Sequence, residues 1–138
     1  MTLTLFDFEG RWHIDRQIDD RLADRAGQLR GEAMFSPGGG GLRYDETGTL
    51  RWPGQQALEA RQSYLWRPAA GGIAVAFADG RPFHSIDLSG ASAVGSHDCP
   101  PDTYVVQYDF SAWPKWTSTW AVTGPRKNYV MITRYSRA

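Results

Sequence analysis

A single cysteine, Cys99, excludes an internal disulfide and agrees with a reducing compartment. Long apolar runs are missing as well: no segment approaches membrane-spanning length. The opening MTLTLFDFEG has neither the basic start nor the apolar core of a signal peptide. The expectation is a soluble, cytoplasmic protein with no membrane partner. Net charge is absent too, since fifteen Lys and Arg balance fifteen Asp and Glu, so no general pull toward nucleic acid is expected. Lysine is scarce, with only Lys115 and Lys127. The remaining basic residues are arginines, a side chain suited to planar recognition of carboxylate or phosphate. Arg11, Arg21, Arg25, Arg30, Arg43 and Arg51 fall where a solvated strand face would put them. There is no G-x-S-x-G element, phosphate-binding glycine loop or H-E-x-x-H motif, so no motif fixes a reaction.

What the chain does have is alternation. Its 138 residues suit one unit, 1–138. Gly10, Trp12, Ile14, Arg16 and Ile18 recur on every second residue, the period of a half-buried strand. The charged stretch Asp19 to Gln28 reads as a turn, and a strand resumes from Leu29 to Phe35. Pro37 and the four glycines Gly38 to Gly41 read as a flexible loop and a mobile rim. Leu42 to Asp45 and Thr49 to Trp52 read as two short strands around a Glu46-Thr47-Gly48 turn. Ala57 to Arg67 is the next strand, and Val75 to Leu88 is a hairpin turning at Asp79-Gly80. Ala93 to Cys99, Thr103 to Phe110, Lys115 to Thr123 and Tyr129 to Tyr135 complete the set. About ten strands at regular spacing with little helix predict an all-β fold, a single antiparallel up-and-down barrel, which also removes exposed sheet edges.

Gly10-Arg11-Trp12 resembles the G-x-W opening of lipocalins and other calycins. In those barrels the tryptophan plugs the closed end under an arginine from the last strand, a role the resemblance gives to Trp12 and Arg134. The chain departs from secreted lipocalins in having no signal peptide, no disulfide pair and no helix after the last strand. A larger set of motifs is more specific: Tyr44-Asp45-Glu46-x-Gly48, Arg61-x-x-Tyr64-x-Trp66, Phe77-x-Asp79-Gly80-Arg81-x-Phe83-His84, His97-x-Cys99-x-x-Asp102-x-Tyr104 and Gly124-Pro125-Arg126-Lys127-x-Tyr129. Together they resemble a family of small bacterial proteins classed as a domain of unknown function with a calycin-like (lipocalin- and fatty-acid-binding-protein-like) barrel. The resemblance spans nearly the whole chain and implies no reaction.

The aromatic content, six Trp, six Tyr and six Phe, suits either a cavity lined with rigid surface and polar tips or a filled barrel. The first reading is a small-molecule-binding barrel for a partly apolar ligand that can carry an anionic group. Its candidate residues are Arg61, Tyr64, Phe77, Arg81, His84, His97, Tyr108, Trp116, Trp120 and Arg126. The second is a cofactor-independent enzyme with His84 or His97 as general acid or base and Asp79, Asp102 or Glu46 as partner. The third is a filled barrel acting in protein association, with homo-oligomerisation open. No cofactor and no metal are expected. Zinc on His84, His97 and Cys99 lacks a fourth ligand, haem on His84 has only aromatic surroundings in its favour, and Cys99 reads as a small buried hydrophobe.

Overall fold

The computed structural model describes residues 2–138. After a short 3-10 turn, Leu5–Phe8, ten strands follow: β1 (Gly10–Asp20), β2 (Arg25–Gly38), β3 (Gly41–Arg51), β4 (Leu58–Ala69), β5 (Gly72–Phe77), β6 (Pro82–Asp87), β7 (Ser92–Cys99), β8 (Asp102–Asp109), β9 (Trp116–Gly124) and β10 (Lys127–Arg137). They form one antiparallel sheet in the order β6-β5-β4-β3-β2-β1-β10-β9-β8-β7, so sequence neighbours pair and β1 meets β10. The sheet curls into a nearly closed barrel. At its two outer strands β7 lies close against β6: a side-chain carbon on Gly95 would sit 3.0 Å from the Ser85 carbonyl oxygen. Diameter grows with strand number, and about eight strands already leave an interior that side chains just fill. Ten leave room to spare.

Three expectations need correction. Asp19 to Gln28 is not one long turn, because β1 runs to Asp20 and β2 starts at Arg25, where Asp20 and Arg25 face each other across the two strands and pair at 3.3 Å. The glycine run is not a mobile rim: Gly38 pairs with Gly41, and Gly39 and Gly40, at φ 63° and 85°, make the tight two-residue hairpin for which positive φ at both central positions is needed. Glu46-Thr47-Gly48 is not a turn but the middle of β3, with Gly48 opposite Gly31. A side-chain carbon on Gly31 would lie 1.9 Å from the Thr47 carbonyl oxygen, so glycine here marks close approach of two strands and not a break.

One end of the barrel is closed by aromatic packing. The Leu5–Phe8 turn inserts Phe8, which is fully buried and lies 5.0–5.9 Å from the rings of Trp113, Trp116, Trp66, Phe110 and Phe35. Trp12, also fully buried, donates its indole N–H to the Phe8 carbonyl at 2.8 Å. The arginine across it is Arg137, not Arg134. Register pairs Trp12 with Arg137, and the Arg137 guanidinium sits 3.9 Å from the indole centroid while donating to the Glu9 carbonyl at 2.6 Å and the Asp7 carbonyl at 2.5 Å. Arg134 differs from Arg137 by an odd number of residues, so it faces the opposite side of β10 and is exposed.

Trp12→Ala is expected to cost about 3–5 kcal/mol through the cavity it leaves and to lower the melting temperature sharply in a thermal melt. An unchanged melting temperature would show that Trp12 does not hold this end together.

Candidate functional site

The opposite half of the barrel contains a cavity of about 460 Å³, within the range of about 300–1,000 Å³ usual for small-molecule sites. The interior is therefore open, which removes the filled-barrel premise.

At its base lies a charge pair that alternation along two strands brings inside. Arg16 follows Trp12 and Ile14 on the inward face of β1, and Glu46 follows Tyr44 on that of β3. The Arg16 Nη1 and Nη2 donate to Glu46 Oε2 and Oε1 at 2.7 and 2.8 Å, and its Nε donates to Thr133 Oγ1 at 2.8 Å. Tyr44 adds its hydroxyl proton to Glu46 Oε1 at 2.5 Å and lies 3.0 Å from the Tyr135 hydroxyl. Burial alone pulls the Arg16 pKa down, but the hydrogen bond and charge of Glu46 outweigh it and leave it raised. Burial holds the Tyr44 and Tyr108 hydroxyls well above the ordinary tyrosine range and lifts Tyr135 to about 12, so all three stay protonated.

Further up, the wall is aromatic. Phe83 stacks on Trp120 (5.1 Å between ring centroids, 8° between planes), on Phe77 (4.5 Å, 23°) and on Tyr64 (5.5 Å, 23°). Its inward direction comes from a bulge: β5 and β6 pair Val75 with His84 but Ala76 with Pro82, which leaves Phe83 as the extra residue. A bulge re-aims side chains, and here both Phe83 and His84, adjacent in sequence, reach the cavity.

His84 is buried, and its Nε2 lies 2.9 Å from the Tyr108 hydroxyl. Among the described residues Tyr108 makes no other side-chain hydrogen bond, so we assign the phenol as donor to Nε2 and the imidazole proton to Nδ1, which is buried without a partner. Burial, and secondarily the charge of His97, bring the His84 pKa down to about 4. The ring is neutral near pH 7.

Of the ten candidate ligand residues, Tyr64, Phe77, His84, His97, Tyr108 and Trp120 line this cavity, and the exposed Arg61 borders it. Three do not. Arg81 is exposed on the β5–β6 turn and bonds Asp79 at 2.7 Å. Arg126 is exposed at the β9–β10 turn. Trp116 belongs to the closed end, stacked on Tyr135 at 3.6 Å. His84 and His97 both pack edge-on against Phe83, at 4.6 and 5.2 Å, but the acid–base pairing with Asp79, Asp102 or Glu46 is not formed, Glu46 being held by Arg16 and Tyr44. Asp79 bonds Arg81 and Asp102 pairs with Lys127 at 3.2 Å, both outside the cavity. Cys99 is exposed rather than buried and borders the cavity, at the last residue of β7. Among the described residues no three His, Cys, Asp or Glu side chains gather as a metal site would need.

Sequence reasoning missed Arg16, and named Glu46 only as an acid–base partner for a histidine and not as the partner of Arg16. The signal was present for Arg16, a charge in the apolar stripe Trp12, Ile14, Ile18; for Glu46 the inward direction was hidden by the apparent turn.

No curated protein matches the chain. Among solved structures, the S-type phycobiliprotein lyase CPES from Guillardia theta shares the fold with a TM-score of 0.65 at 7% sequence identity, over 97% of this chain and 90% of that one. No described helix is long and apolar enough to cross a membrane.

Two outcomes are expected from this geometry. Arg16→Met alone strands Glu46 and should cost about 3–5 kcal/mol, whereas Arg16→Met with Glu46→Gln should recover a large part of it; chemical denaturation of the three proteins checks this. As pH falls from 6.5 toward about 4, the unfolded chain takes up a proton at residue 84 that the barrel refuses. Stability should therefore fall by up to about 3 kcal/mol. Over that window the His84→Gln variant should show a correspondingly flatter dependence. A family model for a family of unknown function, DUF6314, matches residues 8–137, and the chain belongs to that family.

Proposed function

We propose that this protein is a small-molecule-binding barrel whose cavity takes a partly apolar ligand. The observation that carries the reading is the cavity itself, about 460 Å³ of space behind an aromatic wall with hydroxyl and imidazole tips. Trp120, Phe83, Phe77 and Tyr64 offer rigid apolar surface at little entropic cost on binding, while Ser118, His84 and the tyrosines offer polar partners. An acidic group on the ligand belongs at the mouth, where Arg61 borders the cavity. That a barrel of the same outline serves in a phycobiliprotein lyase supports the reading only through its architecture.

A thermal-shift screen of metabolites, followed by native mass spectrometry of the hits, tests it. A ligand at about a hundred times its Kd adds about 2.7 kcal/mol to stability, a shift of several degrees. Ala60→Trp, which fills the cavity from β4, should keep the fold and lose the shift; Arg81→Ala should keep both. Hits that stabilise Ala60→Trp as well as the wild type would move binding elsewhere and overturn the proposal.

A further inference from the structure

Resting on the reading of the cavity as a ligand site, we propose that the part of the ligand buried in the barrel carries no net charge: it is an apolar body with a neutral carbonyl, hydroxyl or amide group. The argument is a count of the ionisable groups that face the interior. Arg16 is the cation at the base of the cavity, and its fork is committed to Glu46 by two bonds, with Nε on Thr133. Glu46 is the anion, and its oxygens are taken by that fork and by Tyr44. The two charges cancel, and each satisfies the other's hydrogen-bonding capacity.

Nothing else at depth supplies a counter-charge. His84 is held neutral by its burial, and the hydroxyls of Tyr44, Tyr108 and Tyr135 are held protonated. Arg61 is exposed, at the margin of the cavity, and the half-buried His97 lines its outer part, opposite Tyr104 and so four residues along β8 from Tyr108. Lys127 is engaged by Asp102 and by the Tyr104 hydroxyl at 2.9 Å. A carboxylate or sulfonate pushed to the level of Trp120 and Tyr108 would therefore be a buried charge with no partner, or would have to break the Arg16–Glu46 pair and strand Glu46. Either costs several kcal/mol. A neutral oxygen or N–H meets hydroxyls and an imidazole instead.

Two fluorescent probes with one body separate the possibilities. N-phenyl-1-naphthylamine is neutral, and 1-anilinonaphthalene-8-sulfonate has the same rings with a sulfonate added. Both are titrated against the wild type and Ala60→Trp, and cavity binding is the part that Ala60→Trp removes. The neutral probe is expected to bind in the cavity at least about tenfold more tightly than the sulfonate. Glu46→Gln, which leaves Arg16 unbalanced, should raise affinity for the sulfonate. Should Glu46→Gln fail to fold, the wild-type comparison decides alone. Equal or tighter cavity binding of the sulfonate by the wild type overturns the inference while leaving the ligand site standing. If Ala60→Trp removes binding of neither probe, the site and the inference fall together.

Discussion

Side-chain parity is the constraint on which this barrel depends. Antiparallel ladders join nine pairs of neighbouring strands, each with a defined register, and each carries one face of its strand inward with period two. The register that seats Trp12 at the closed end also commits Arg16, four residues on, to the interior, and Thr133 opposite it. On β3 the parity that buries Leu42 and Tyr44 buries Glu46. Two charges thus enter one interior from strands held apart by β2, and each is tolerable only because the other is there.

A buried ion pair is weak evidence for stability, since desolvation consumes much of the Coulombic gain. What this pair does is set the electrical character of the space above it. Glu46 alone would make the cavity select cations, and Arg16 alone would make it select anions. Joined by a bidentate bond and supported by Tyr44 and Thr133, they present a polar base without net charge beneath an aromatic wall.

Much of the fold was legible in the sequence because alternation, turn residues and aromatic strand positions agree along the chain. The Asp79-Gly80 turn stands where the residues put it: Gly80 has φ 91° and donates to the Phe77 carbonyl at 2.8 Å. Glycine is where reading failed, because it serves two purposes that look alike. Gly39 and Gly40 turn the chain, while Gly31 and Gly48 lie within strands that nearly touch. Taking Gly48 for a turn divided β3 and hid the inward direction of Glu46. Among site residues, those on well-patterned strands, such as Tyr108 and Trp120, were legible. Arg81 and Arg126 were not, because they sit at turns, where period-two reasoning has no purchase. Arg137 replaced Arg134 over Trp12 by parity, which only the β1–β10 register supplies.

The bulge on β6 shows how a departure from parity adds to the site. With strict alternation, Phe83 would face solvent beside Ser85 and the wall at Trp120 would have no stacking partner. The extra residue lets Phe83 turn inward beside His84, and the two rings then meet edge to face at 4.6 Å and 88°. The same strand lies at the barrel's seam, for the ladders run from β6 round to β7 and none among the described residues joins those two strands. Gly95 lets β7 approach β6 there, its missing side chain leaving room for the Ser85 carbonyl and the His84 ring. Closure at the seam consequently rests on packing and not on a hydrogen-bonded ladder, and strands without a ladder open at lower free energy than paired ones. The wall that bears Phe83 and His84 is thus bounded on its β7 side by packing alone, whereas every other neighbouring pair of strands in the barrel is joined by a ladder.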